Sequence, residues 1–373
     1  MPSVQIYGAK KATGWFNHRY NQNASLERFQ YHFPNSFSFE ELFLPDHKGD
    51  TLFYIKDLNL SFKAWSQNER ALYLNKLEAN QAYFYLRTQA GDSLSNIKFF
   101  IDAIKGDKAS DPNQSFNLSS TDVQLSDSRF YMENRNEPER IQFHWRNANT
   151  YLNDFLLAGR DVSAKIKEIS FREGEKFVVQ SGTANFLYGP KGLVVQDLGL
   201  TTSRSNLSGS LNFIMDSPSS YSSFVDSVYM DGQIVDGNIA ADDIRYFSEA
   251  YPKFPTTSIQ GLFEGTVNDL VLSQMELSAW QDLQILGDLH LKNTTSGKNL
   301  SLETQDLQIY GHADEAKRLI SLFSDTIPAI LNRAGLIEWE GSFNGGLFDF
   351  VTKSKLNSNF ARLELDLDIR NLN

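Results

Sequence analysis

From Arg362 to Arg370 the chain reads RLELDLDIR, apolar and charged residues alternating without a slip, and weaker copies of this pattern recur from about residue 40 to the end. Successive side chains of a strand point to opposite faces, so the pattern builds sheet with one apolar face and one wetted face. The fold class predicted is mainly β, with neighbouring strands mostly antiparallel. What covers the apolar face is then the functional question.

Composition narrows the answers. Aromatic residues make up 13% of the chain, with 28 Phe and 15 Tyr, which excludes disorder and supplies strand formers. The formal net charge is −11 and Lys and Arg never run beyond a pair, so a nucleic-acid partner is not expected. The absence of Cys excludes disulfides, thiolate metal sites and a cysteine nucleophile, and is compatible with an oxidising compartment. No apolar stretch approaches the roughly 20 residues that span a bilayer, and MPSVQIYGAKKATGWF lacks the apolar core of a signal peptide. Read literally, with Met1 as the natural start, that describes a soluble cytoplasmic chain.

Four helices are predicted. Val4, Tyr7, Trp15 and Phe16 fall near one face between Ser3 and Arg19. Ser217-Pro218 opens a short helix with Tyr221, Phe224, Val225 and Val228 as its stripe. Asp242-Asp243 begins a third that stops at Tyr251-Pro252, and Asp314 a fourth that Pro328 kinks. Gly49-Asp50, Gly91-Asp92, Glu173-Gly174, Gly189-Pro190 and Ser296-Gly297 read as hairpin turns between alternating runs. Lys105 to Ser115 reads as a long loop.

An internal repeat is the second strong signal. GLFEGTVNDL from Gly261 and GSFNGGLFDF from Gly341 align without a gap, sharing Gly261/Gly341, Phe263/Phe343, Gly265/Gly345 and Asp269/Asp349. A shorter phrase, Asp followed by an apolar residue, recurs at Asp57-Leu58, Asp122-Val123, Asp197-Leu198, Asp269-Leu270 and Asp306-Leu307. Repeated units that cannot each bury their own apolar face favour an elongated, stacked architecture. Two similar hairpins of an ordinary sandwich are the alternative.

The stretches Phe33 to Phe62, Phe116 to Met132, Ser163 to Phe186 and Leu193 to Phe213, with the Gly-x-Phe-x-Gly blocks at Gly261 and Gly341, resemble the TamB and AsmA-like translocation-and-assembly proteins, especially their Bacteroidota branch. The resemblance covers essentially the whole chain, although its motifs are phrases of a degenerate β pattern. Val4 to Tyr20 resembles the helix that follows the inner-membrane anchor of these proteins; the anchor itself and the family's C-terminal region are absent, as in an N-terminal fragment.

The resemblance implies an elongated sheet curled into an open, taco-like groove of roughly 25 strands, with a few short amphipathic helices. It implies a periplasmic protein held to the inner membrane through the missing anchor, non-enzymatic and without a cofactor, conducting phospholipid acyl chains to the outer membrane. An assembly factor docking an outer-membrane barrel-assembly protein is the alternative role. The chain divides accordingly into an N-terminal helix and first strand (1–31), a groove region (32–216) and helix-punctuated groove repeats (217–373). Alternation alone selects the groove-lining candidates: Leu58, Leu60 and Phe62; Leu211, Phe213 and Met215; Leu270 and Leu272; Leu363, Leu365, Leu367 and Ile369. As a base rate, such period-2 apolar residues are ordinary core.

Catalytic constellations are missing. The six His show no paired metal-ligand spacing, and no GxSxG or Walker-type loop occurs. Asp366 and Asp368 share a strand face, which a solvated surface explains; Asp46, Asp50 and Asp57 lack calcium-loop spacing and suit turns. A third reading, a surface β-solenoid or carbohydrate-binding module, requires Trp65, Trp145, Trp280 and Trp339 on an exposed platform.

Overall fold

The computed structural model describes residues 2–105, 117–137, 142–216, 224–247, 253–295, 299–321, 329–346, 349–359 and 361–370. Among them are eighteen strands, assigned to a single open sheet, with few short helices. The expected count of about 25 is too high because the strands are long: four consecutive ones have 16 to 18 residues, against about 5–6 for an ordinary strand. The chain forms two compact units, Met1–Leu187 and Tyr188–Asn373, so their boundary falls within the stretch expected as one groove region.

The first unit runs α1 (Pro2–Tyr20), β1 (Arg28–His32), β2 (Ser36–Pro45), β3 (Thr51–Ser66), β4 (Ala71–Thr88), α2 (Asn96–Lys105), β5 (Asn117–Asn134), β6 (Phe143–Ala158), β7 (Asp161–Glu173) and β8 (Phe177–Gly189), which reaches the boundary. β1 to β4 pair antiparallel in order, as do β5 to β7. β4 and β5, however, are parallel. Gly91-Asp92 is therefore no hairpin: the chain leaves β4 there and enters α2, and a crossover of this kind is what a parallel pair requires. The sequence reading missed α2; the loop expected after Lys105 lies outside the described residues. α1 forms as expected, but Tyr7 and Trp15 stand 65% and 64% exposed while Ala9 is buried, so the aromatic stripe does not face the core.

The second unit runs β9 (Gly192–Thr202), β10 (Asn206–Ile214), α3 (Phe224–Ser227), β11 (Tyr229–Ile239), α4 (Ala241–Phe247), β12 (Thr257–Thr266), β13 (Asp269–Ala279), β14 (Leu283–Lys292), β15 (Ser301–His312), α5 (Ala313–Ser321), a 3-10 turn (Ala329–Asn332), β16 (Leu336–Gly345), β17 (Phe350–Ser358) and β18 (Arg362–Ile369). Every consecutive strand pair here is antiparallel. The predicted cap Ser217-Pro218, the stop Tyr251-Pro252, the turn Ser296-Gly297 and the kink at Pro328 lie outside the described residues.

Within each unit the strands break their pleat along a line. In the first, Glu41, Gln81, Asp127 and Asn147 adopt left-handed φ between 46° and 55°. They sit side by side: Asn147 Nδ2 donates to Asp127 Oδ1 at 3.0 Å, and Gln81 Nε2 to Asp127 Oδ2 at 3.1 Å. Apolar parity changes at this line, from Phe37 and Phe39 to Leu42 and Leu44 in β2, and from Ile55 to Leu58 in β3. In β2 the left-handed Glu41 interrupts the alternation there, so the change of parity does not send the apolar set to the other face; β3 changes parity with no left-handed residue of its own.

The second unit makes the same line differently. Register slips by one residue in β9, β11, β13 and β15, next to Gly209, Gly261, Gly287 and Gly341 on the intervening strands. At Gly341 (φ 158°) a Cβ would lie 2.4 Å from the Lys353 carbonyl oxygen. At Gly261, the first glycine of the other copy, the nearest backbone atoms would lie 3.1 Å from a Cβ and φ is 146°, so conformation as well as space favours glycine. The second, Gly265 or Gly345, closes a hairpin so tightly that a Cβ would lie 2.1 or 2.2 Å from the carbonyl oxygen of Asp269 or Asp349. The repeat is a backbone device, and Asp197-Leu198 and Asp306-Leu307 mark two of the bulges.

Candidate functional site: an apolar sheet face

Cross-strand register shows which predicted residues share a face, because residues directly opposite in a ladder project to the same side. One row runs Phe213, Met230, Gly265, Leu270, Leu291, Leu302, Gly345, Phe350, Ile369 from β10 to β18. A second joins Leu211, Gly232, Phe263, Leu272 and Leu289. A third ends Ile285, Ile309, Trp339, Leu356, Leu363. Leu365 and Leu367 lie on β18 between Leu363 and Ile369, opposite Ser354 and Thr352. Eight of the predicted residues thus line one side of the second unit's sheet. Met215 does not join them in the open: it follows β10, where its N–H donates to the Lys191 carbonyl, and is only 4% exposed.

In the first unit Leu58 lies between Phe39 and Ala79, Leu60 between Phe37 and Leu77, and Phe62 opposite Leu74. The line continues through Val123 and Leu152 to Ile166. The opposite side of this sheet is polar and aromatic: Arg129 stacks over Tyr83 and Arg87 over Tyr85, both at 4.6 Å, and Arg146 Nε donates to the Tyr131 hydroxyl. Tyr54 belongs to that side; its hydrogen bond to Glu41 is the main reason its pKa is pushed up to about 12, with burial adding to it.

These apolar faces are poorly filled. Among the described residues Phe177 alone of the phenylalanines is buried, and about half of the buried apolar residues are alanines. Among the described residues, helices cover the second unit's face only in places. Phe224 of α3 packs edge-on to Phe213 at 5.3 Å. Ala313 and Ala316 of α5 pack with Leu331, Ala334 and Ile337. Between these contacts lie two adjoining apolar concavities that share Ile259. One, of about 240 Å³, is roofed by Ile244 of α4 and Leu319 of α5 over Leu277 and Ile285. The other, of about 250 Å³, is lined by Met230, Phe263, Leu270, Leu272 and Met275. A third, of about 600 Å³, opens in the first unit between Phe16 of α1 and Leu42, Leu44, Phe53, Ile55 and Phe84.

Acidic and amide side chains hold the helices onto the strand ends. Glu315 Oε1 accepts the N–H groups of Gln281 and Asp282 in the β13–β14 turn, at 3.0 and 3.1 Å. Burial pushes its pKa up, but these backbone donors prevail and hold the carboxyl below its ordinary value. Asp243 of α4 accepts from Thr202 and Ser205 in the β9–β10 turn. In the first unit Asp46, buried in the β2–β3 turn, accepts from Gln89, Asn96 and the N–H groups of Lys48 and Asp50. Its pKa too is lowered by these bonds against the effect of burial. The sequence reading missed Glu315 and Asp243 as caps, yet a signal existed: Ala241-Asp242-Asp243 and Ala313-Asp314-Glu315 open α4 and α5 with the same phrase.

Chemically this arrangement offers apolar surface and structural carboxylates. Among the described residues no group of three His, Asp or Glu is placed to hold a metal ion. Asp57 accepts from Asn80 across the ladder, while Asp46 and Asp50 belong to the turn. The tryptophans form no platform within either unit: Trp65 is 58% exposed at the end of β3, whereas Trp145 stacks on Phe171 at 4.3 Å. In the second unit Trp280 lines a concavity and Trp339 lies in an apolar row. No described helix is long and apolar enough to cross a membrane. No protein-family model, curated protein or solved structure matches this chain.

Proposed function

We propose that this chain is a non-enzymatic envelope protein whose apolar sheet face carries phospholipid acyl chains between the inner and outer membranes of a diderm bacterium. The observation that supports this reading is the second unit's face: three apolar rows crossing up to nine strands, half-exposed among the described residues and interrupted by concavities that the described helices roof only in part. Exposed apolar area of this extent is an aggregation liability for a soluble protein unless a ligand covers it. An acyl chain laid along the rows would gain about 0.8 kcal/mol for each buried CH₂, while its headgroup remained in water at the open side. The resemblance to TamB and AsmA-like proteins supports the same reading, in which the chain works in the periplasm beside the inner membrane.

The experiment is native mass spectrometry of the purified chain combined with lipid extraction. Phospholipid bound to wild-type protein and lost on Leu272→Glu is the expected result. A soluble monomer that carries no phospholipid and takes none up from vesicles would reject the proposal.

A further inference from the structure

We infer that the outward side of α1 is a docking surface for an anionic phospholipid bilayer. Tyr7, Lys11, Trp15 and His18 follow one another at spacings of four, four and three residues, which puts them on one stripe of the helix. All four are exposed, and the Lys11 ammonium lies 5.8 Å from the centre of the Tyr7 ring. Lys10 and Arg19 flank the stripe, both exposed. The first acidic residue of the chain is Glu27, so this helix carries only positive charge although the chain as a whole carries −11.

The opposite side of the helix faces protein, with Ala9 fully buried and Phe16 lining the 600 Å³ concavity; Trp15, 64% exposed, stands at the rim of that concavity and reaches solvent. Solvent-exposed Trp and Tyr are costly in water and favourable at a membrane–water interface, where an apolar ring and a polar edge are both accommodated. Exposed Lys and Arg beside them are attracted to anionic headgroups. A neutral or acidic partner protein would account for the charge or for the rings, whereas an anionic bilayer accounts for both. The docking does not depend on the lipid-carrier reading.

The test is co-sedimentation of the full chain with vesicles of pure phosphatidylcholine and of mixed phosphatidylglycerol and phosphatidylcholine. Binding about tenfold stronger on the mixed vesicles is expected, weakening as added salt shortens the screening length. Lys10→Glu with Lys11→Glu should abolish the preference and Trp15→Ala should weaken binding, while Lys165→Glu, on an exposed strand position, should leave both intact. Circular dichroism establishes that the variants fold. Equal binding to both vesicles, no binding to either, or wild-type binding by the double Lys variant would overturn the inference. Leu272→Glu separates the two ideas: it should lose copurified lipid and still bind mixed vesicles.

Discussion

The two units interrupt their strands along comparable lines with different chemistry. The first uses polar residues in the left-handed region, Glu41, Gln81, Asp127 and Asn147, and ties three of them together by side-chain hydrogen bonds. The second uses bulges on alternate strands faced by glycines, with Asp197 and Gln274 as its left-handed side-chain positions. A polar residue tolerates positive φ at a small cost and repays part of it by bonding its neighbour. A glycine is needed where a neighbouring carbonyl leaves no room for a Cβ. Close approach of backbones therefore requires glycine at Gly265, Gly341 and Gly345, while positive φ favours it at Gly261.

The comparison is most easily broken at Gly341. Ala there meets the Lys353 carbonyl and the Ser354 Cβ, at 2.4 and 2.5 Å, so backbone must move. A loss of about 3 kcal/mol is expected in urea unfolding. The matching change in the first unit, Asn147→Gly, relieves a strained φ and removes one hydrogen bond, and should stay within about 1 kcal/mol. Comparable losses at both sites would end the distinction.

Next in size are the caps. Glu315→Ala strands the Gln281 and Asp282 N–H groups and should cost about 2 kcal/mol, with Asp46→Ala similar in the first unit. Both carboxyls titrate below their ordinary values. Their stabilisation is present above the unfolded pKa of about 4 and is lost as pH falls through the lower folded value. Unfolding of wild type should steepen below that range, and Glu315→Ala should remove part of the steepening. An unchanged acid profile in this variant would contradict the assignment of Glu315.

Within the second unit, packed and open apolar residues should differ in the same way, with a large loss at one and the smallest effect of all at the other. Leu283, 1% exposed, should cost about 2–5 kcal/mol on truncation to Ala. Leu367→Ser, at a side chain 39% exposed, should cost less than about 1 kcal/mol while reducing the phospholipid recovered with the protein. A large stability loss at Leu367 would mark it as core.

Much of this fold was legible in the alternation, because β18 and its neighbours obey the period of two that a half-covered sheet imposes. Candidates on β10, β13 and β18 fell on one face for that reason. The parallel β4–β5 pair was not legible: Gly91-Asp92 is as good a helix approach as a hairpin turn, and only the position of β5 decides between them. Met215 is expected to line the groove beside Leu211 and Phe213, but it is 4% exposed just past the end of β10, which period-two counting cannot see. The caps escaped notice because Asp243 and Glu315 look like ordinary first-turn acids until the hairpin they hold is located in space.

A photo-reactive amino acid at Leu272, in the middle of the second apolar row, tests the central claim most directly. The account predicts crosslinks to phospholipid in cells, with the same probe at the fully buried Leu52 trapping protein. Crosslinks from Leu272 to protein alone would show that this face is closed by polypeptide and carries no lipid.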